Sequence, residues 1–148
     1  MAIKKSNVTT GMARMQLPSP VAAYAPATMI LTHVCCEAVA TADILELAVL
    51  PPYCRVISAE LIGEGTGATT FTVGLMSGEF GSTDPARTSG NELFSAVAGN
   101  ALQTASLVSL AALGKTDAAR SIGVRASAAI AANPATKLHL RISYATGF

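Results

Sequence analysis

The chain has 148 residues, enough for one domain with a substantial core. Only 13% of them are charged and 51% are hydrophobic, with ten basic and nine acidic side chains giving a net charge of +1. That balance excludes the basic footprint of a nucleic-acid binder and a block of charge for an anionic membrane, and it leaves little charge to clothe a lone globule. The composition therefore predicts a partner over part of the surface, in an oligomer or larger assembly.

Residues 1–26 carry Pro18, Pro20 and Pro26 with scattered Ser, Thr and Ala, and show neither helical nor strand periodicity. Proline fixes φ and pushes its predecessor toward extended geometry, so an extended N-terminal arm is predicted, followed by a domain over 27–148. Lys4 and Lys5 precede a polar stretch, Ser6–Gly11, where a secretory leader would be apolar. Synthesis and retention in the cytoplasm are expected.

Short segments of strand length then alternate with turn signals. Met29–Val39 is β-branched and apolar, and Asp43–Leu50 stops at Pro51-Pro52. Cys54–Ile62 and Thr69–Met76 alternate with period two around the turn Gly63-Glu64-Gly65-Thr66-Gly67, as half-buried antiparallel strands do. Ser77–Gly90 is a polar loop, long enough to be mobile or functional. Asn91 is placed to cap a helical turn over 92–98, and Thr104–Leu110 reads as strand, with its Ala and Leu content leaving helix open. The uncharged run Ser95–Gly114 contains Asn100, Gln103 and Thr104 and is too polar to span a membrane. In Ser121–Ala126, Ile122, Val124 and Ala126 are expected inward. Lys137–Tyr144 alternates most clearly, with Leu138, Leu140, Ile142 and Tyr144 on one face and Lys137, His139, Arg141 and Ser143 on the other. Seven or eight such strands predict an all-β fold, an antiparallel β-sandwich of jelly-roll-like type.

Catalytic signatures are lacking in the sequence. The Gly63–Gly67 turn leads into a strand rather than a helix N-terminus, so it is no phosphate cradle. His33, Cys35, Cys36 and the distant Cys54 lack the paired spacing of structural zinc, and an odd number of thiols suggests no disulfide framework. Glu60 with Glu64 or Glu46 offers paired carboxylates, without the aromatic platforms of a glycosidase cleft. Neither an enzyme nor a bound cofactor or metal is expected. The row Lys137, His139 and Arg141 is a candidate attachment surface, and Lys4, Lys5, Met12, Arg14 and Leu17 are candidate contacts from the arm.

The run Leu-Ala-Val-Leu-Pro-Pro-Tyr-Cys-Arg-Val-Ile-Ser-Ala-Glu-Leu-Ile (47–62), followed by Thr-Thr-Phe-Thr-Val-Gly-Leu-Met-Ser-Gly (69–78), resembles small structural proteins of tailed bacteriophages. Leu-Phe-Ser-Ala (93–96), Ile-Gly-Val (122–124) and Leu-x-Leu-x-Ile-x-Tyr (138–144) continue the likeness over roughly residues 28–145. The resemblance implies a capsid decoration, or cement, protein on the exterior of the virion. Its partners would be the major capsid protein, at subunit junctions, and itself, with a trimer favoured over a dimer, and it would contact neither nucleic acid nor membrane. Other implied roles are a head-fibre base or tail-associated domain. From a different class, a carbohydrate-binding module would need exposed aromatics, and Tyr24, Tyr53 and Tyr144 are the only tyrosines.

Overall fold

A computed structural model describes residues 1–6 and 25–146. The described residues form nine strands and one short helix: β1 (Ile3–Lys5), β2 (Ala27–Val34), β3 (Ile44–Leu50), β4 (Cys54–Glu64), β5 (Thr70–Leu75), β6 (Phe94–Ala98), β7 (Gln103–Thr104), α1 (Leu107–Ala112), β8 (Arg120–Ala126) and β9 (Lys137–Thr146). They make a sandwich of a five-stranded sheet, β1-β3-β8-β5-β6, and a four-stranded sheet, β2-β9-β4-β7. All pairings are antiparallel except β1 with β3. The all-β sandwich expected from period-two alternation is the fold observed.

Along β9 the alternating side chains point where their period dictates, whereas in β4 a register shift between Val56 and Ser58 corrects the strict alternation expected over Cys54–Ile62: Val56 joins Ala59 and Leu61 on the buried face and Ile57 turns outward. Leu138, Leu140, Ile142 and Tyr144 of β9 are buried against Leu31, Val56, Ala59 and Leu61 from its own sheet and Leu47, Leu50, Phe71 and Ile122 from the other. Removing such area from water, at about 25 cal/mol per Å², is the main force closing the two layers. Strand β3 breaks the alternation because all seven of its residues are buried. Its second face lies under the Ser77–Gly90 loop, which crosses the outside of the five-stranded sheet. Two glycines opposite one another, Gly74 on β5 and Gly123 on β8, clear the trough. A Cβ on Gly74 would stand 2.2 Å from the Gly90 carbonyl carbon, and one on Gly123 would stand 2.6 Å from Met76 Cγ.

Three local expectations are corrected. Residues 94–98 are a strand, not a helical turn: Phe94 pairs with Val73 and enters the core. Glu92, rather than sitting in a helix, accepts the Leu75 N–H (3.0 Å). The predicted strand at Thr104–Leu110 shortens to the two residues of β7, and helix α1 follows, with Leu110 as its one buried anchor. The strand predicted to Val39 ends at Val34, where the chain turns and the Cys36 N–H bonds back to the Val34 carbonyl (2.8 Å).

The arm predicted over 1–26 begins inside the domain. Ile3, Lys4 and Lys5 pair with Ile44, Leu45 and Glu46. Asp43 accepts the Ala2 N–H (2.9 Å), and Ser6 Oγ donates to the Leu47 carbonyl (2.7 Å). Three residues are too few for a period to register, so this strand was invisible to pattern reading. Met12, Arg14 and Leu17 lie outside the described residues.

Candidate interaction surface

Two features with chemistry in them emerge, one internal and one facing solvent. The internal one is an ion cluster on the outer side of β3. Glu46 has no exposed surface, and its carboxylate is hydrogen-bonded by Lys5 Nζ, Arg87 Nη2 (2.9 Å) and Ser121 Oγ (2.7 Å). Arg87, 2% exposed, also donates to the carbonyls of Ser77 (2.8 Å) and Ser82 (2.7 Å). Lys5 Nζ lies 5.8 Å from the ring centroid of Phe80. Burial alone would raise the Glu46 pKa; the hydrogen bonds from Lys5, Ser121 and Arg87 outweigh it and hold the carboxyl below its ordinary value. Every strong contact of this cluster joins parts of the fold, so it is a clasp: it ties β1 and the long loop to β3. Sequence reasoning missed Glu46 and Arg87 as a pair because they are 41 residues apart. The one available signal was a carboxylate inside an otherwise apolar strand.

The solvent-facing feature is the outer side of the four-stranded sheet. Register places Ile30, Arg141 and Glu60 in one row, Thr32, His139 and Ile62 in the next, and Val34, Lys137 and Glu64 in a third. The predicted row Lys137, His139 and Arg141 is thus brought together on one strand, and each member faces a carboxylate of β4. Arg141 is paired with Glu60, while Glu64 lies 3.5 Å from His139 Nε2 and 3.9 Å from Lys137 Nζ. Thr32 Oγ1 and His139 Nδ1 are 2.9 Å apart. Between the charged pairs lies a groove of about 290 Å³ lined by Ile30, Ile62 and Leu102, with Glu60, His139 and Arg141 at its rim. A second groove of similar size lies beside α1, lined by Arg55, Ile57, Leu107 and Leu110. Leu107 and Val108 are 78% and 80% exposed. Apolar centres ringed by paired charges are how protein interfaces are built.

The remaining predicted residues are placed differently. Lys5 is engaged in the clasp. Lys4 borders a groove beside Cys36 and Glu37, between the edges of the two sheets. Glu46 lies on the opposite sheet from Glu60 and Glu64, so these carboxylates share no cleft. His33 and Cys35 are buried and Cys36 is exposed. Burial lowers the pKa of His33 and raises that of Cys35, to which the neighbouring Cys36 adds. Among the described residues no cluster of three or more His, Cys, Asp or Glu has the makings of a metal site. An internal cavity between His33, Thr66 and Phe71 measures about 20 Å³, the volume of a single water site. None of the described helices is long and apolar enough to cross a membrane.

No family model and no curated protein sequence matches the chain. Among solved structures, a chain in the capsid of Ralstonia phage GP4 is 33% identical, with a TM-score of 0.84, over 99% of both chains. A chain of the cyanophage Pam1 capsid asymmetric unit aligns over 92% of this chain and 96% of its own, at a TM-score of 0.52 and 19% identity, which is a likeness of fold.

Proposed function

This chain belongs to a family of structural proteins of the phage capsid, and from that premise we propose that it is a decoration protein. It binds the outside of the head at junctions between major-capsid subunits and stabilises the shell. The observation that carries this reading is the outer side of the four-stranded sheet with the adjoining helix. Ile30, Ile62, Leu102, Leu107 and Val108 are all exposed, and on a chain with so few charges they form the apolar ground of a contact. The Glu60–Arg141 pair and the Lys137, His139 and Glu64 group give that contact a polar rim, which fixes orientation more than affinity.

The role is mechanical. A protein that holds two shell subunits at once resists their separation by the sum of both attachments, and the second attachment forms at high effective concentration. Residues 7–24, between β1 and β2, supply a further contact through Met12, Arg14 and Leu17. The clasp supports this by fixing the start of that segment to the sandwich: its tether is the buried Glu46 rather than a frayed terminus.

The test is reconstitution. Heads lacking the protein, and lacking tails, are incubated with the full chain, and occupancy is measured by cryo-electron microscopy and co-sedimentation. Density on the exterior at subunit junctions, with a raised temperature of head disruption, is expected. A chain found on tails and absent from tailless heads would overturn the reading.

A further inference from the structure

Strand β3 of the five-stranded sheet ends at Leu50 and β4 of the four-stranded sheet starts at Cys54, so residues 51–53 carry the chain from one layer to the other. The Cys54 N–H bonds back to the Pro51 carbonyl (3.4 Å), and Tyr53 has a φ of 59°. With Pro52 second and a positive φ third, this is the form of a type II turn, whose third position is the place of Gly or Asn. Here that place holds a tyrosine. A left-handed backbone strains a bulky L residue, and strain of this kind clusters where a protein meets something else.

No contact within the described residues accounts for the ring. Gly65, Gly67, Gly78 and Gly81 take other positive-φ positions, and Ala96 is small and gives its N–H to Thr72 Oγ1 (3.2 Å). Tyr53 gives its own N–H to the Thr116 carbonyl (2.7 Å), a bond that glycine or asparagine would make equally well. Its side chain is 58% exposed, whereas Tyr144 is fully buried. Phe80, also exposed, has Lys5 beside its ring; among the described residues no hydrogen bond or ring contact engages the Tyr53 side chain.

We propose that Tyr53 is an anchor of the protein–protein contact, its ring entering an apolar cleft on a capsid subunit. Tyrosine offers a large contact area for the loss of two side-chain torsions, and it is one of the residues on which binding energy concentrates. The turn holds it ready. Pro51 is buried, the ring of Pro52 fixes its φ, and Thr116 braces the backbone of Tyr53 itself, so little freedom is lost on docking.

The surroundings fit an uncharged cleft on a protein. Lys115 and Asp117, on either side of Thr116, are exposed and opposite in sign, so they form a neutral polar rim around an apolar centre. The position extends the contact already described. Thr116 follows α1, which carries Leu107 and Val108, and Tyr53 precedes β4, whose far end carries Ile62. At about 3.3 Å per residue the ring stands roughly 25 Å from the groove at Ile62, a separation suited to a protein that spans a junction. The anchor rests on the decoration reading and names a residue that holds the head.

The experiment uses the full chain and tailless heads lacking the protein. Tyr53→Asn suits the turn and removes the ring: it is expected to melt no lower than the unchanged chain and to bind heads about tenfold or more weakly. Tyr53→Phe is expected to bind within about threefold of the unchanged chain. Acetylation by N-acetylimidazole, mapped by mass spectrometry, should reach Tyr53 in the free protein and be blocked on occupied heads. Undiminished binding of Tyr53→Asn, or a Tyr53 still reactive on occupied heads, would overturn the anchor. So would a lower melting temperature for Tyr53→Asn, which would place the work of the ring inside the fold. Loss of binding in Tyr53→Phe as large as in Tyr53→Asn would replace the apolar cleft by a partner for the hydroxyl, and protection by bacterial polysaccharide instead of heads would make the ring a sugar contact; either result defeats the proposal. Intact head binding with an indifferent Tyr53 removes the anchor alone, whereas failure of the unchanged chain to bind heads removes the decoration reading and the anchor with it.

Discussion

Truncating Arg87 to alanine tests whether the clasp holds the Ser77–Gly90 loop to the sandwich. The guanidinium makes four hydrogen bonds to oxygen: to Glu46 Oε1, Ser121 Oγ and the carbonyls of Ser77 and Ser82. Its removal takes one cation from the fully buried Glu46 carboxylate, which keeps the bonds from Lys5 Nζ, Ser121 Oγ and the Gly81 N–H (3.4 Å). Breaking a buried ion pair from one side costs about 3–5 kcal/mol, a large share of a domain stability of roughly 5–15 kcal/mol. For a chain of this length the melting temperature should fall by roughly 6–20 °C. Urea unfolding followed by circular dichroism measures the loss, and hydrogen exchange at the amides of Ser77, Arg87 and Thr88 locates it. The paired change Glu46→Leu with Arg87→Met removes both charges and keeps the volume, so it should cost less than Arg87→Ala alone. A loss under about 1 kcal/mol for Arg87→Ala, or a double variant less stable than the single one, would show that packing and not the ion cluster pins the loop.

Acid should release the N-terminal strand first. Glu46 is held below its ordinary pKa as described, and Asp43 is held low chiefly by the Ala40 N–H, against a smaller opposing effect of burial, with the Ala2 N–H adding to the lowering. Both are depressed in the folded state, so their contribution is complete above the unfolded values of about 4 and is lost as pH falls through the folded ones. Hydrogen exchange of the Ile44 and Ser6 amides, which bond across the β1–β3 junction, should rise below pH 4 before that of the β4–β9 ladder; simultaneous exchange would contradict this. Gly74→Ala forces a methyl into the backbone of Gly90 and should cost about 1–3 kcal/mol, measured by thermal unfolding, whereas an unchanged melting temperature would mean that the loop does not lie in the trough. Leu102→Asp and Val108→Asp alter side chains 61% and 80% exposed and should leave stability within about 0.5 kcal/mol while lowering head occupancy at least tenfold. Full occupancy would move the contact to another face.

The alternation in Thr69–Met76 and Lys137–Tyr144 pointed to the sandwich, its antiparallel strands and the outward row Lys137, His139 and Arg141, because a period of two assigns each side chain to a face before any partner is known; in Cys54–Ile62 a bulge between Val56 and Ser58 shifted that assignment. Low charge likewise led, from composition alone, to the expectation of a partner over part of the surface. What surrounds those faces was decided only in three dimensions. The carboxylates opposite the basic row come from β4, through a register that no local pattern encodes, and Glu46 meets Lys5 and Arg87 across 41 residues in each direction. Phe94 turned an apparent helix into a strand because burying its ring against the core outweighs the weak helical preference of the neighbouring alanines. Strand order is likewise a tertiary fact: whether a strand is inner or outer depends on which others come to lie beside it, and a strand's own residues report its faces far more clearly than its neighbours.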